Sequence, residues 1–115
     1  KDRQISAGHI AKMISPVEPG IVITDEPGIY FEGSHGVRLE NELLVKEWKK
    51  NEYGEFLCFE TITYVPMDLD GIKADMMSEE EKRLLNDYHA LVYEKIAPHL
   101  NEEEREWLKK YTRAI

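Results

Sequence analysis

Apolar and polar residues alternate from Val37 to Val45, with Val37, Leu39, Asn41, Leu43 and Val45 on one side and Arg38, Glu40, Glu42 and Leu44 on the other. That period of two predicts a β-strand. Ile21 to Thr24 is a shorter β-branched run that ends before Pro27-Gly28, where proline cannot donate to a ladder and glycine opens turn conformations. The connection FEGSHG (Phe31 to Gly36) reads as a hairpin loop, Phe56 to Val65 as a further strand, and NEYGE (Asn51 to Glu55) as the turn that precedes it. These segments predict an antiparallel β meander.

The pattern changes at Pro66. MDLDGIKADMM reads as an extended linker, after which Ser78-Glu-Glu-Glu carries the signature of a capped helix start: the Ser78 hydroxyl accepts from the backbone and Glu81 reaches back to the Ser78 N–H. Leu84, Leu85, Tyr88, Leu91, Val92 and Ile96 follow at the spacing of one helix face, and Pro98 stops the run. A second helix is expected from Asn101, with three glutamates in its first turn and Trp107, Leu108 and Tyr111 as its buried side. The fold class is therefore α+β: a β part over residues 1–65 and a linker with a two-helix extension over 66–115.

Composition narrows the possible functions. The 115 residues suit one domain, with 42% hydrophobic content for a modest core. The net charge of −8 divides evenly at Pro66, so no segment offers the basic footprint that nucleic-acid binding requires. No apolar run approaches the roughly 20 residues of a membrane span, and the KDRQ opening has no signal-peptide core behind it. A soluble cytoplasmic protein with neither nucleic-acid nor membrane partners is the expectation. The lone Cys58, between Leu57 and Phe59, reads as a reduced, buried packing residue. The opening Lys1, with no initiator Met, suggests a piece of a longer chain.

The candidate chemistry lies around the first turn. If the strands flanking FEGSHG pair antiparallel, Glu26 approaches Arg38 and Glu40, which share a face at i and i+2. Two carboxylates held close together need a cation between them or a wet site. A metal ion with oxygen ligands is one solution. An Arg-Glu ladder on a solvated strand is the other, and on spacing alone it is the better account.

The wording of the motifs shifts that balance. TDEPGIY, then GVRLENELLV, then FETITYVP resembles the C-terminal end of the aminopeptidase P (Xaa-Pro aminopeptidase) group of creatinase-like, pita-bread metallopeptidases. The stretch from Met77 to Ile115 resembles the helical C-terminal extension of the longer members, so the likeness runs from about Glu18 to the last residue. It implies the C-terminal portion of a pita-bread catalytic domain. It implies that Glu26 ligates one of two divalent metals, manganese commonly, and shuttles a proton, and that Glu40 bridges both. Arg38 would orient the bridging carboxylate, and Tyr30 would line the site in a supporting role. The implied reaction is hydrolysis of the bond between an N-terminal residue and a following proline, by a metal-activated water.

The family's two Asp ligands and its ligand His have no counterpart here; His9, in SAGHIAKM, does not stand in the histidine motif. With two of five ligands, the chain alone is expected to hold no metal pair and to be inactive without the rest of its parent. His35 falls in the variable hairpin loop; His89 and His99 read as surface or packing residues, Glu60 as a buried hydrogen-bonding residue, and Trp48 and Trp107 as packing or interface aromatics. Two other functions remain open: a non-catalytic creatinase-like binding module, and an interaction domain that forms a homodimer through its helices and strand edges.

Overall fold

The computed structural model describes residues 16–115. His9 and most of the poorly matching N-terminal stretch lie outside the described residues. Five antiparallel strands are followed by two helices: β1 (Val22–Asp25), β2 (Gly28–Tyr30), β3 (Gly36–Arg38), β4 (Asn41–Asn51), β5 (Gly54–Thr61), α1 (Glu79–Ile96) and α2 (Glu102–Tyr111). The α+β class is as expected. One sheet has the order β1-β4-β5, and β2 pairs with β3 in a separate two-stranded hairpin.

The run from Val37 to Val45 is two strands, not one. Gly36–Arg38 pairs with β2, Asn41–Asn51 pairs with β1 and β5, and Leu39 and Glu40 form the break between them. Pro27 is the cause, since it has no N–H to give to the ladder at the facing position. Its carbonyl still accepts from the Leu39 N–H at 3.1 Å. The register is the same on both sides of the break, with Asp25 opposite Asn41 and Gly28 opposite Arg38. Glu26 therefore faces Glu40 across an interrupted ribbon.

Two further boundaries move. β5 ends at Thr61, although the Ile62 N–H still bonds to the Glu42 carbonyl at 3.0 Å. Beyond that rung only Asn41 of β4 remains, joined to Thr63 through their side chains, and the chain turns toward the helices. The pairing of β4 with β5 also shifts register between Glu47 and Lys49, a bulge that carries the exposed Trp48. The linker after Pro66 is not uniformly extended: it makes two 3-10 turns, Leu69–Gly71 and Ala74–Met76. Asp68 caps the first by accepting from the Asp70 N–H, and Leu69 is buried there.

Both helices begin as the sequence requires. Ser78 and Glu81 form a reciprocal capping box, and so do Asn101 and Glu104, which satisfies two otherwise orphaned N–H groups at each start. The Ser78 N–H bonded to Glu81 holds that carboxyl below the ordinary carboxylate range. Pro98 lies in the short 3-10 turn Ala97–His99 that separates the helices.

The core is small: Val92, Ala97 and Leu108, with Tyr64, Tyr88, Tyr93, Ile96 and Leu100 packed against them. Three burial expectations change. Leu84 is exposed, because only the α1 stripe from Leu85 onward meets the rest of the chain. Trp107 is more than half exposed while its neighbour Leu108 is buried, since adjacent residues of a helix point in different directions and Leu108 takes the inward one. Cys58 is half-buried, not fully buried, because the described residues leave much of β5 open to solvent.

His89 is the largest fully buried side chain. Its Nε2 accepts from the Met67 N–H at 3.0 Å, which joins the linker to α1. Nδ1 therefore carries the proton of the neutral ring, and among the described residues no partner stands in hydrogen-bonding geometry to it. The backbone of Arg113 lies against the ring and favours the imidazolium slightly. Burial prevails and pushes the pKa below the usual histidine value. The last residue is fastened nearby, with Asn86 bonded to both the N–H and the carbonyl of Ile115.

Candidate active site

The structure brings Glu26, Arg38 and Glu40 together. Arg38 Nη1 lies 3.6 Å from Glu26 Oε2, and Arg38 Nε lies 3.2 Å from Glu40 Oε2. Three local features produce this. Pro27-Gly28 ends β1 just after Glu26; the matched register puts Glu40 opposite; and Arg38, the last residue of β3, sits two positions before Glu40. Like charges facing each other across a ribbon repel, and the guanidinium between them offsets that repulsion. Each of the three side chains is roughly half solvated, so the ion pairs orient the groups more than they stabilise the fold.

Tyr30 completes the cluster. Its ring lies back over the two glycines of the hairpin: a Cβ on Gly28 would fall 2.7 Å from the Tyr30 hydroxyl, and one on Gly36 would overlap the ring. Only glycine leaves room for the ring at both positions. Gly28 pairs with Arg38, so the phenol rests beside the guanidinium. The Tyr30 hydroxyl, then the Glu40 carboxylate and more weakly Glu26, hold the Arg38 proton more firmly than in free arginine. Glu26 has a second fixed contact, its Oε1 accepting from the Thr24 hydroxyl at 2.7 Å.

The donor set is hard oxygen and partly open to solvent, which suits a divalent cation such as manganese or magnesium. It is also short. Among the described residues no group of three or more His, Cys, Asp or Glu side chains could enclose a metal. Glu26 and Glu40 thus fit as two ligands of a larger set and do not form a closed site.

The other candidates lie elsewhere. His35 is at the hairpin tip, stacked on Phe31 with ring centroids 4.9 Å apart and its Nδ1 2.8 Å from the Ser34 hydroxyl. Glu60 is half exposed on β5, where it pairs with Lys46 across the strand at 2.6 Å and is held below its usual pKa by that bond. It is not buried, because Lys46 on the neighbouring strand already satisfies it at the surface. His99 is exposed and His89 is a core residue of the helical region.

Sequence reasoning did not single out Thr24, Asn41, Thr63 or Tyr88 for the site. Asn41 follows Glu40 directly. Its Oδ1 accepts from the Thr63 hydroxyl at 2.8 Å and lies 3.2 Å from the Tyr88 hydroxyl. Asn41 stands in the GVRLEN string without a role of its own, and nothing local points at partners 22 and 47 residues away.

Comparison with known proteins gives concordant matches. Residues 4–47 match the metallopeptidase family M24, and residues 55–115 match the C-terminal region of peptidase M24. The chain is 39% identical to a "Probable Xaa-Pro aminopeptidase P" of Coprinopsis cinerea, over 93% of this chain and 18% of that protein. It is likewise 39% identical to aminopeptidase P1 of Arabidopsis thaliana, over 87% of this chain and 16% of that protein. The fold is similar to the crystal structure of an X-prolyl aminopeptidase from Caenorhabditis elegans, described as a cytosolic enzyme with a di-nuclear active site. That match has a TM-score of 0.73 and 30% identity, and covers 86% of this chain and 17% of the other. The chain spans less than a fifth of the length of the relatives it matches.

Proposed function

The chain belongs to metallopeptidase family M24, as a C-terminal segment of the aminopeptidase P type, and we propose that its parent protein hydrolyses the bond between an N-terminal residue and a following proline. The observation that carries this reading is the facing pair Glu26 and Glu40, with Arg38 bonded to both at a break in the ribbon. An ordinary surface ladder has no use for two opposed carboxylates at an interrupted rung. A shared cation site does.

In this reading Glu26 would hold one divalent ion and Glu40 would be shared between two, manganese being a metal that suits a hard-oxygen site. When bound, the two metals would supply Lewis-acid polarisation of the scissile carbonyl and a water acidified toward neutral pH. The chain's own residues do the rest. Arg38 fixes the rotamer of Glu40 through its Nε, and Tyr30 keeps the guanidinium from swinging into solvent. Glu26 also carries a proton on its carboxylate between the attacking water and the departing proline nitrogen, while the Thr24 hydroxyl holds its other oxygen.

The remaining ligands come from the rest of the parent chain, with the metallopeptidase portion here ending near residue 65 and the helical extension following it. The 115 residues by themselves have negligible peptidase activity and hold no tight metal pair. The worm enzyme is described as cytosolic, and on that likeness alone we assign the parent to the same compartment.

The test uses the full parent chain and release of the first residue from an X-Pro peptide, with and without chelator, for the natural protein and Glu40→Gln. We expect chelation and the substitution each to abolish activity. Activity that survives either one would sink the metal assignment, and a natural parent chain with no activity at all would favour a non-catalytic module. Stoichiometric binding of two manganese ions by the 115 residues alone would overturn the view that two ligands are all this segment provides.

A further inference from the structure

The geometry points to Tyr88, on the helical extension, as a positioning residue for the bridging carboxylate Glu40, acting through Asn41, which Thr63 holds as well. The inference rests on the reading of Glu40 given above. Glu40 lies in the break between β3 and β4 and has no ladder partner of its own, so the direction of its side chain depends on how firmly its neighbours are held. On one side the Leu39 N–H is bonded to the Pro27 carbonyl. On the other, Asn41 forms the last rung of β4 against Asp25, next to Glu26, so its orientation sets both carboxylates.

Asn41 is held by its side chain as well as its backbone. Thr63, just past the end of β5, donates its hydroxyl proton to Asn41 Oδ1 at 2.8 Å and accepts the Glu42 N–H at 3.1 Å. It therefore grips the residues one and two positions after Glu40. The Tyr88 hydroxyl stands 2.7 Å from the Val65 carbonyl and 3.2 Å from Asn41 Oδ1, and its single proton faces both oxygens. The shorter contact takes the larger share and pins the exit of β5 to α1, while the longer one closes the bridge onto Asn41. Burial of the phenol raises its pKa, so this donor proton is retained at all physiological pH values.

A purely architectural tie between helix and sheet would serve equally well anywhere along β4. This one ends on the residue adjoining the break. Metal sites tolerate ligand misplacement of only about half an ångström, and partners outside the ligand set typically carry 10–100-fold in metal affinity. A helical region without any ligand of its own thereby contributes to the metal site.

The experiment is Mn²⁺ titration by calorimetry on the full parent chain, with the thermal midpoint measured alongside. Tyr88→Phe, which keeps the ring and removes the hydroxyl, is expected to raise the Mn²⁺ dissociation constant about tenfold. Thr63→Val should do the same, and Thr63→Ser should restore the natural value. On an Asn41→Ala background the added effect of Tyr88→Phe should vanish, since its route to Glu40 has been removed. The inference is overturned if Tyr88→Phe and Thr63→Val lower the thermal midpoint yet leave Mn²⁺ affinity unchanged, or if Tyr88→Phe costs the same with and without Asn41. Should Tyr88→Phe not fold, Asn41→Ala decides: unchanged Mn²⁺ affinity there overturns the inference, since Asn41 is the route from Tyr88 to Glu40. Glu40→Gln separates the two levels: loss of Mn²⁺ binding there with none for Tyr88→Phe defeats only this inference, and unchanged binding in Glu40→Gln defeats the underlying reading with it.

Discussion

His89 sets up a sharp stability prediction. The ring is fully buried, Nε2 takes the Met67 N–H, and the proton on Nδ1 has no partner in hydrogen-bonding geometry among the described residues. Replacing it with alanine opens a ring-sized cavity and orphans the Met67 donor. Large-to-alanine changes in cores cost about 2–5 kcal/mol and an unsatisfied buried donor about 1–3 kcal/mol. The two overlap where the site can relax or admit water, so we expect a loss of about 3 kcal/mol for His89→Ala. His89→Gln, whose amide oxygen can still accept from Met67, should lose less.

The pH dependence follows from the same burial. The unfolded ring takes up its proton near pH 6.5, and the folded ring does so only at lower pH. The unfolded state therefore binds the proton first as pH falls, so the His89 contribution is complete above about 6.5 and drains away as pH drops toward the folded pKa. Glu60 and Glu81, also depressed in the folded state, lose their contributions lower, from their ordinary value of 4.5 downward. Urea unfolding followed by helical circular dichroism at pH 7.5, 6.0 and 5.0 tests this. The natural chain should weaken across that range more steeply than His89→Gln. Parallel slopes for the two, or a loss under about 1 kcal/mol for His89→Ala at pH 7.5, would refute the account.

Two smaller predictions complete the set. Ser78→Ala removes the acceptor for the Glu81 N–H at the start of α1 and should cost about 1 kcal/mol in the same unfolding assay; an unchanged midpoint would show that the cap contributes nothing. Gly36→Ala would push the Tyr30 ring off the hairpin, so in the parent enzyme it should cut kcat/KM for an X-Pro peptide by tenfold or more, while a Gly36→Ala, Tyr30→Ala double variant should show no further loss beyond Tyr30→Ala. Loss that simply adds in the double variant would mean the glycine serves something other than the tyrosine.

The helix starts were legible because a capping box spans three residues, and the ordering of Ser78 before Glu81 already satisfies the groups concerned. Alternation placed Arg38 and Glu40 on one face for the same reason: a period of two is a local property. Glu26 was within reach because a proline-glycine pair and a short loop fix the hairpin register. The break at Leu39 and Glu40 was not legible in the alternation, since those residues alternate as well as any; it depends on Pro27, which faces Leu39 only after the ribbon has closed.

What the sequence determined by itself is thus the set of short-range structures: two capped helices, a ribbon with its turn, and three charged side chains on one patch of it. Tertiary structure decided which of the apolar residues count as core, leaving Leu84 and Trp107 in solvent while taking in His89. It also decided that Asn41, Thr63 and Tyr88 meet beside Glu40. Those outcomes depend on contacts between residues far apart in the chain, whose cost is the entropy of closing long loops and whose gain no local window contains.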